Sequence, residues 1–244
     1  MKVNLTLSVA DVVQAYEFAR DMKGHHNDNL VRQRGDRQIF IDDFRGKLAE
    51  IALKRYLERN MHIVGDIDFE IYNRGEWDKN DLIIDDNKNI SVKSSGLKAN
   101  YLMIETHRFN SDGTYSYRNH DGGEIKVDYY AFLNVGIGNE AEIGYTEYAD
   151  GITFMGVNNE KSSWQDVPEK RKTFWCYLKG FISHEDFWRL KKKANRGIYA
   201  NLSDLNEVWN GNNLTMRADF IENDKRWLQK DNYIINTRIL TRIF

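Results

Sequence analysis

Three charged residues stand where short apolar segments would place them together. Glu50 lies in "GKLAEIAL", Asp81 in "WDKNDLII" and Lys93 in "ISVKSS". Two carboxylates and a lysine at the edge of a sheet have a clear chemical use. Oxygen ligands suit Mg2+, which takes one or two protein carboxylates and keeps waters and phosphate oxygens for its other positions. Such an ion stabilises charge on a phosphate in transfer and makes its bound water more acidic. A lysine beside it can hold the attacking water or compensate phosphate charge, and next to carboxylates it stays protonated. Asp78, three residues before Asp81, competes for the ligand role. Asp81 is preferred because it directly precedes the apolar "LII".

The elements that must position these groups follow from periodicity. Over residues 38–60, Phe44, Leu48, Ile51 and Ala52 fall on one helical stripe, widened by Leu53 and Leu57. A helix apolar over this much of its surface is expected to be largely buried. Gly46, one turn before Glu50 on the same face, would leave room beside the carboxylate. Residues 81–85, "DLIID", and 90–93, "ISVK", read as strands joined by the turn "DNKN". Antiparallel pairing brings Asp81, at the start of one strand, to the same sheet edge as Lys93, near the end of the other. The preceding helix can carry Glu50 over that edge.

In this order, "GKLAEIAL", "WDKNDLII" and "ISVKSS" resemble the PD-(D/E)xK nuclease superfamily. That group includes many type II restriction endonucleases, Holliday-junction resolvases and repair nucleases. The resemblance covers about residues 39–96. It implies an α/β (α+β mixed) fold with a restriction-endonuclease-like core, a mixed central sheet flanked by helices. It also implies roles: Glu50 as the helix acid, Asp81 as the strand aspartate, Lys93 as the motif lysine and the Val92 carbonyl as a backbone metal ligand. The implied cofactor is Mg2+, with Mn2+ as its substitute. Ser91 is a departure, because the pattern has Asp or Glu there. A hydroxyl can hold a metal-bound water but replaces a carboxylate poorly. Such members as lack that acid can lean on the helix acid, which adds weight to Glu50. Full catalytic strength and a second metal are what Ser91 puts in question.

The expected activity is hydrolysis of phosphodiester bonds in double-stranded DNA by a sequence-specific type II restriction endonuclease. A structure-selective, phage-type or repair nuclease of the same fold is the alternative. A catalytically inert DNA-binding module, with Ser91 as its lesion, is an alternative of another class, and so is a protein unrelated to nucleic acid in which the constellation is accidental. A homodimer fits such enzymes by analogy, since a two-fold DNA site calls for a two-fold protein.

Other residues carry weaker signals. Ser94, Ser95 and Lys98 follow the motif lysine and read either as phosphate contacts or as a polar turn. "RLKKKANRG" holds Arg189, Lys191, Lys192, Lys193 and Arg196, which suit a phosphate backbone or a solvated helix face. Lys170, Arg171 and Lys172 read the same way. His25 with His26, and His107 with His120, stand near one another without a second ligand pair. "GIGNEAEIG" fails the dinucleotide-binding spacing and reads as a turn. Cys176 lies between Trp175 and Tyr177, a core-like setting.

Composition sets the frame. The 244 residues carry a formal net charge of −2, so bulk charge names no partner. With 41% hydrophobic residues the chain can bury a core. The single cysteine excludes an internal disulfide framework and a cysteine zinc cluster, and fits a reducing, cytoplasmic setting. No signal peptide is read, and no stretch approaches the roughly 18 apolar residues of a membrane helix. Without repeats or linkers, one nuclease domain over residues 1–244 is expected. Residues 100–244 would supply further core elements with DNA-contact or dimer elements. A helix over 8–22 is expected with Ser8 as N-cap, then a loop to residue 38. Strands are expected over 62–72, 128–137, 151–157 and 173–182, and the period over 100–109 fits helix or strand. A helix over 183–197, capped by Ser183 and stopped by Gly197, leads towards a closing strand at the end.

Overall fold

The computed structural model describes residues 3–5, 7–22, 25, 36–72, 81–85, 87–96, 99–115, 124, 126–137, 174–194, 197–201, 225–228 and 230–241. Ser8 starts the first helix, α1 (Val9–Asp21), with a reciprocal cap. Its hydroxyl accepts from the Asp11 N–H, and the Asp11 carboxylate accepts from the Ser8 N–H. The long helix α2 (Asp36–Arg59) follows. Tyr16 of α1 meets Phe40 and Phe44 of α2 edge-on, and Arg55 pairs with Asp11 at 2.5 Å. The two helices thus form one layer.

That layer covers one face of a five-stranded mixed sheet. Its strands are β1 (Val3–Leu5), β2 (Leu82–Ile84), β3 (Lys88–Ser95), β5 (Tyr129–Ile137) and β6 (Phe174–Ser183), in the order β1-β6-β5-β3-β2. Strands β2 and β3 are an antiparallel hairpin, with Leu82 opposite Ile90. Its turn begins at Asp85, whose φ of +49° is a left-handed value that aspartate tolerates. Strand β3 runs parallel to β5, with Val92 beside Ala131, while β5–β6 and β6–β1 are antiparallel.

Strand alternation sorts the side chains into two cores. Leu82, Ile84, Ile90, Val92, Ala131 and Leu133 face the helices and join Phe44, Leu48 and Leu53. Tyr130, Phe132 and Ile182 point the other way and join Leu102, Phe109 and Phe187. The second face is covered by the short helix α3 (His184–Leu190) and by a three-stranded antiparallel sheet. That sheet has the order β4 (Tyr101–Glu105), β10 (Asn232–Asn236), β7 (Lys192–Ala194). Strands β8 (Gly197–Asn201) and β9 (Lys225–Leu228) pair as a separate ribbon. The fold is therefore mixed α/β, with its two longer helices on one side of the main sheet and a second sheet on the other. No helix among the described residues is long and apolar enough to cross a membrane.

Several expectations need correction. Residues 62–72 form no strand; a single bridge joins Val64 to Ile84. The Lys54 ammonium takes the carbonyls of Val64 and Gly65, and Lys47 takes that of Asp68, so side chains satisfy this backbone. The ambiguous stretch 100–109 resolves as β4 and one 3-10 turn, Thr106–Arg108. Ser183 caps α3 as expected, but the helix stops at Leu190 because Lys192–Ala194 pairs with β10. Gly197 opens β8 instead of ending a helix. The closing strand is short, and the chain turns 3-10 at Thr237–Ile239. The expected strand at 151–157 and the cluster Lys170, Arg171, Lys172 lie outside the described residues.

Candidate active site at the hairpin edge

Asp81 immediately precedes β2, and the hairpin register sets it opposite Ser91. Its Oδ2 accepts from the Val92 N–H at 2.5 Å and from the Ser91 hydroxyl at 3.1 Å. The Lys93 Nζ stands 4.0 Å from the same oxygen, which is an electrostatic contact too long for a hydrogen bond. Both side chains reach solvent, Lys93 at 28% and Asp81 at 22% exposure, so a ligand can approach them. Asp81, Ser91, Val92 and Lys93 are thus brought together by one tight hairpin.

The donor set can be tested against a hard cation. Among the described residues, Asp81 Oδ1 takes no hydrogen bond. The N–H and C=O of one strand residue point to the same side in the sheet plane. The Val92 carbonyl therefore points, like its N–H, to the side where Asp81 lies. One open carboxylate oxygen beside a backbone carbonyl fits a single Mg2+ that keeps several waters. No group of three or more His, Cys, Asp or Glu able to hold a metal occurs among the described residues. A two-metal arrangement has no such support.

Glu50 has different company. It is 8% exposed on α2, and its carboxylate accepts from Lys47 Nζ at 2.7 Å. That ammonium also donates to the Asp68 carbonyl at 2.6 Å and lies over the rings of Phe18 and Phe69. Ser91 and Lys93 alternate with Ile90 and Val92, which pack towards α2. The hairpin residues therefore face away from the layer that holds Glu50. Among the described residues Gly46 does face open space, since a Cβ there would meet nothing within 4 Å. Gly46→Ala is expected to stabilise the fold by about 1 kcal/mol, the helix-interior difference between these residues. The midpoint of urea unfolding measures it, and a lowered midpoint would show that the space is needed by the protein itself.

The remaining candidates scatter. Ser94 and Ser95 close β3, half-buried, while Lys98 and Arg196 lie outside the described residues, as does Asp78. The Lys191 ammonium sits 3.2 Å from the centre of the Trp188 ring and donates to the Trp188 carbonyl; desolvation holds its pKa below the usual lysine value. Lys192 and Lys193 belong to β7, where Lys193 is exposed and 3.6 Å from Asp231. Arg189 pairs with Asp186. The basic run is thus split between a helix end and a strand. His25 contacts the Tyr72 carbonyl and His107 lies beside Glu105, while His26 and His120 lie outside the described residues. Cys176 is wholly buried, and burial pushes its thiol up, the setting of a core residue.

Two residues escape the sequence reading. Lys47 looks like a solvated helix lysine; its i,i+3 spacing to Glu50 allows an ion pair, but nothing announces that the pair is buried. Asn134 is a wholly buried asparagine on β5 whose Nδ2 donates to the carbonyls of Gly96 and Ala99. Its only signal is one polar residue inside the apolar "AFLNVGI". Comparison with protein families, curated proteins and solved structures finds no match for the chain.

Proposed function

We propose that this protein is a Mg2+-dependent DNA endonuclease of the sequence-specific restriction type, working at the β2–β3 edge. The convergence of Asp81, Ser91, Val92 and Lys93 on one hairpin carries this reading. Asp81 and the Val92 carbonyl would hold the ion, with Mn2+ as its substitute. Mg2+ supplies positive charge against the phosphate and acidifies a water. The Lys93 ammonium, which makes no hydrogen bond among the described residues, holds the attacking water or a phosphate oxygen. The Ser91 hydroxyl and Val92 N–H occupy one oxygen of Asp81, and so leave the other for the ligand. Double-stranded DNA is the partner, and a homodimer would match a two-fold site. The rival reading, an inert DNA-binding module, rests on Ser91 itself, which removes a carboxylate from the expected ligand set.

The test is direct. Unmodified phage DNA is incubated with the protein and Mg2+ beside Lys93→Ala. Discrete fragments from the wild type are expected, with a loss of about a hundredfold or more in the variant, the scale of removing one group that stabilises transition-state charge. A smear or a preference for junctions would indicate the structure-selective nuclease. Salt-sensitive binding without cutting in Mg2+ or Mn2+ would indicate the inert module. Absence of salt-sensitive binding would sink all three.

A further inference from the structure

Strand β3 ends at Ser95, and the chain must then cross from the larger sheet to β4 of the smaller one. It does so through a turn in which the Ala99 N–H donates to the Gly96 carbonyl at 3.1 Å. Asn134 grips this turn from β5, where it stands beside Ser95 in the parallel register. Its Nδ2 donates to the Gly96 carbonyl at 2.7 Å and to the Ala99 carbonyl at 3.2 Å. On the far side the Thr237 N–H donates to the Asn100 carbonyl at 2.8 Å, and Lys179 Nζ donates to Asn100 Oδ1 at 3.3 Å. Both ends of the turn are fixed.

Two features at this turn bear on what it is for. Asn134 is 0% exposed, yet its Oδ1 has no hydrogen-bond partner among the described residues. A buried acceptor left in that state costs about 1–3 kcal/mol. A leucine of similar size would avoid the cost but would release the turn. Gly96 is the second feature. Its φ lies outside the left-handed region, and a Cβ there would meet nothing within 4 Å among the described residues. Gly113 and Gly180 differ, with φ of +92° and +144° and close neighbours in Trp188 and Leu240. The fold needs those two glycines and does not need Gly96. A bare backbone facing open space suits the close approach of another chain.

We infer that the Gly96 turn seats the sugar–phosphate backbone of DNA beside the scissile phosphate, with Asn134 as the residue that positions the turn. This rests on the nuclease reading above. Gly96 follows Lys93 by three residues, about 10 Å along an extended strand. Ser95 shares a strand face with Lys93, so its hydroxyl can serve the same phosphate strand. Asn134 touches no DNA and acts only through the turn.

The test compares the wild type with Gly96→Ala, Gly96→Val and Asn134→Leu. Binding is read by fluorescence anisotropy of a labelled random-sequence duplex without divalent metal. Thermal midpoints and the kcat and KM of cleavage complete the set. Gly96→Val is expected to weaken duplex binding about tenfold, a contact's worth of affinity. KM should rise in step while kcat and the thermal midpoint stay near the wild-type values. Gly96→Ala should unfold no lower than the wild type. Asn134→Leu should shift KM in the same direction without lowering the midpoint. Wild-type binding and cutting by Gly96→Val would overturn the inference and leave the nuclease reading standing. A lowered midpoint in both glycine variants would also overturn it, because the fold would then need the glycine. A wild type that binds no duplex would overturn both readings.

Discussion

Asp81→Asn is expected to lower kcat/KM for DNA cleavage by about a thousandfold, at the upper end for loss of one transition-state electrostatic group. The substitution separates the structural role of this side chain from its proposed metal role. As a cap on the hairpin end, Asp81 needs only an oxygen to accept from the Val92 N–H and the Ser91 hydroxyl. The asparagine amide oxygen can do that, so the unfolding free energy should fall by no more than about 1 kcal/mol, one net hydrogen bond. As a metal ligand, Asp81 needs its charge and its open Oδ1, and asparagine puts an NH2 group or a neutral oxygen there. Cleavage assays beside urea unfolding read the two roles apart. If Asp81→Asn cuts within tenfold of the wild type, Asp81 is a hairpin cap and no more.

The second large effect concerns α2. Lys47→Met is expected to cost about 3 kcal/mol, because it removes one partner of a buried ion pair. Lys47 is 4% exposed and Glu50 is 8% exposed, so water compensates little. Glu50→Gln in the same chain should restore stability to within about 1 kcal/mol of the wild type, since removing both charges of a buried pair is often near neutral. Chemical denaturation of the wild type, Lys47→Met, Glu50→Gln and the double variant gives the coupling. Additive losses would show that the pair is not a unit. With stability restored, cleavage by the double variant, compared with Lys47→Met, reports on Glu50. Cutting at the wild-type rate assigns Glu50 to the core, and cutting lost in the double variant but kept in Lys47→Met assigns it to the ion.

The parts of the molecule legible in the sequence are those in which local chemistry decides. Ser8 with Asp11 signs a helix start, and the stripe Phe44, Leu48, Ile51 signs the helix that covers the sheet. Lys88 and Asn89 of the expected turn "DNKN" already belong to β3, but the tight β2–β3 connection still sets Asp81 beside Ser91 and Lys93, because a hairpin leaves few registers open. Where partners come from afar, the signal fails. Residues 62–72 are rich in strand formers, yet lysines of α2 take their carbonyls. Lys192–Ala194 looks like the end of a basic helix until Asn232–Ile234 arrives to pair with it. The side of α2 that Glu50 faces is hidden for another reason. Arg45, Lys47 and Glu50 are all buried beside the apolar stripe, so polarity does not mark the outer face. Asn134 could be noticed but not understood, since its partners in the Gly96 turn precede it by more than thirty residues.

The pairing of β1 with β6 has a consequence for synthesis. Residues 3–5 lie against residues 176–178. A ribosome adding about 5–20 residues per second delivers that partner on the order of 10–30 s after β1 emerges. The hairpin that carries Asp81 and Lys93 is out well before then, with the β5 side of β3 still open. A nascent chain therefore holds its chemical residues early and their framework late. Such long-range closure favours slow folding, and the exposed strand edges invite wrong partners in the meantime. Helpers that shield nascent strands should raise the yield of this protein more than helpers that act after release.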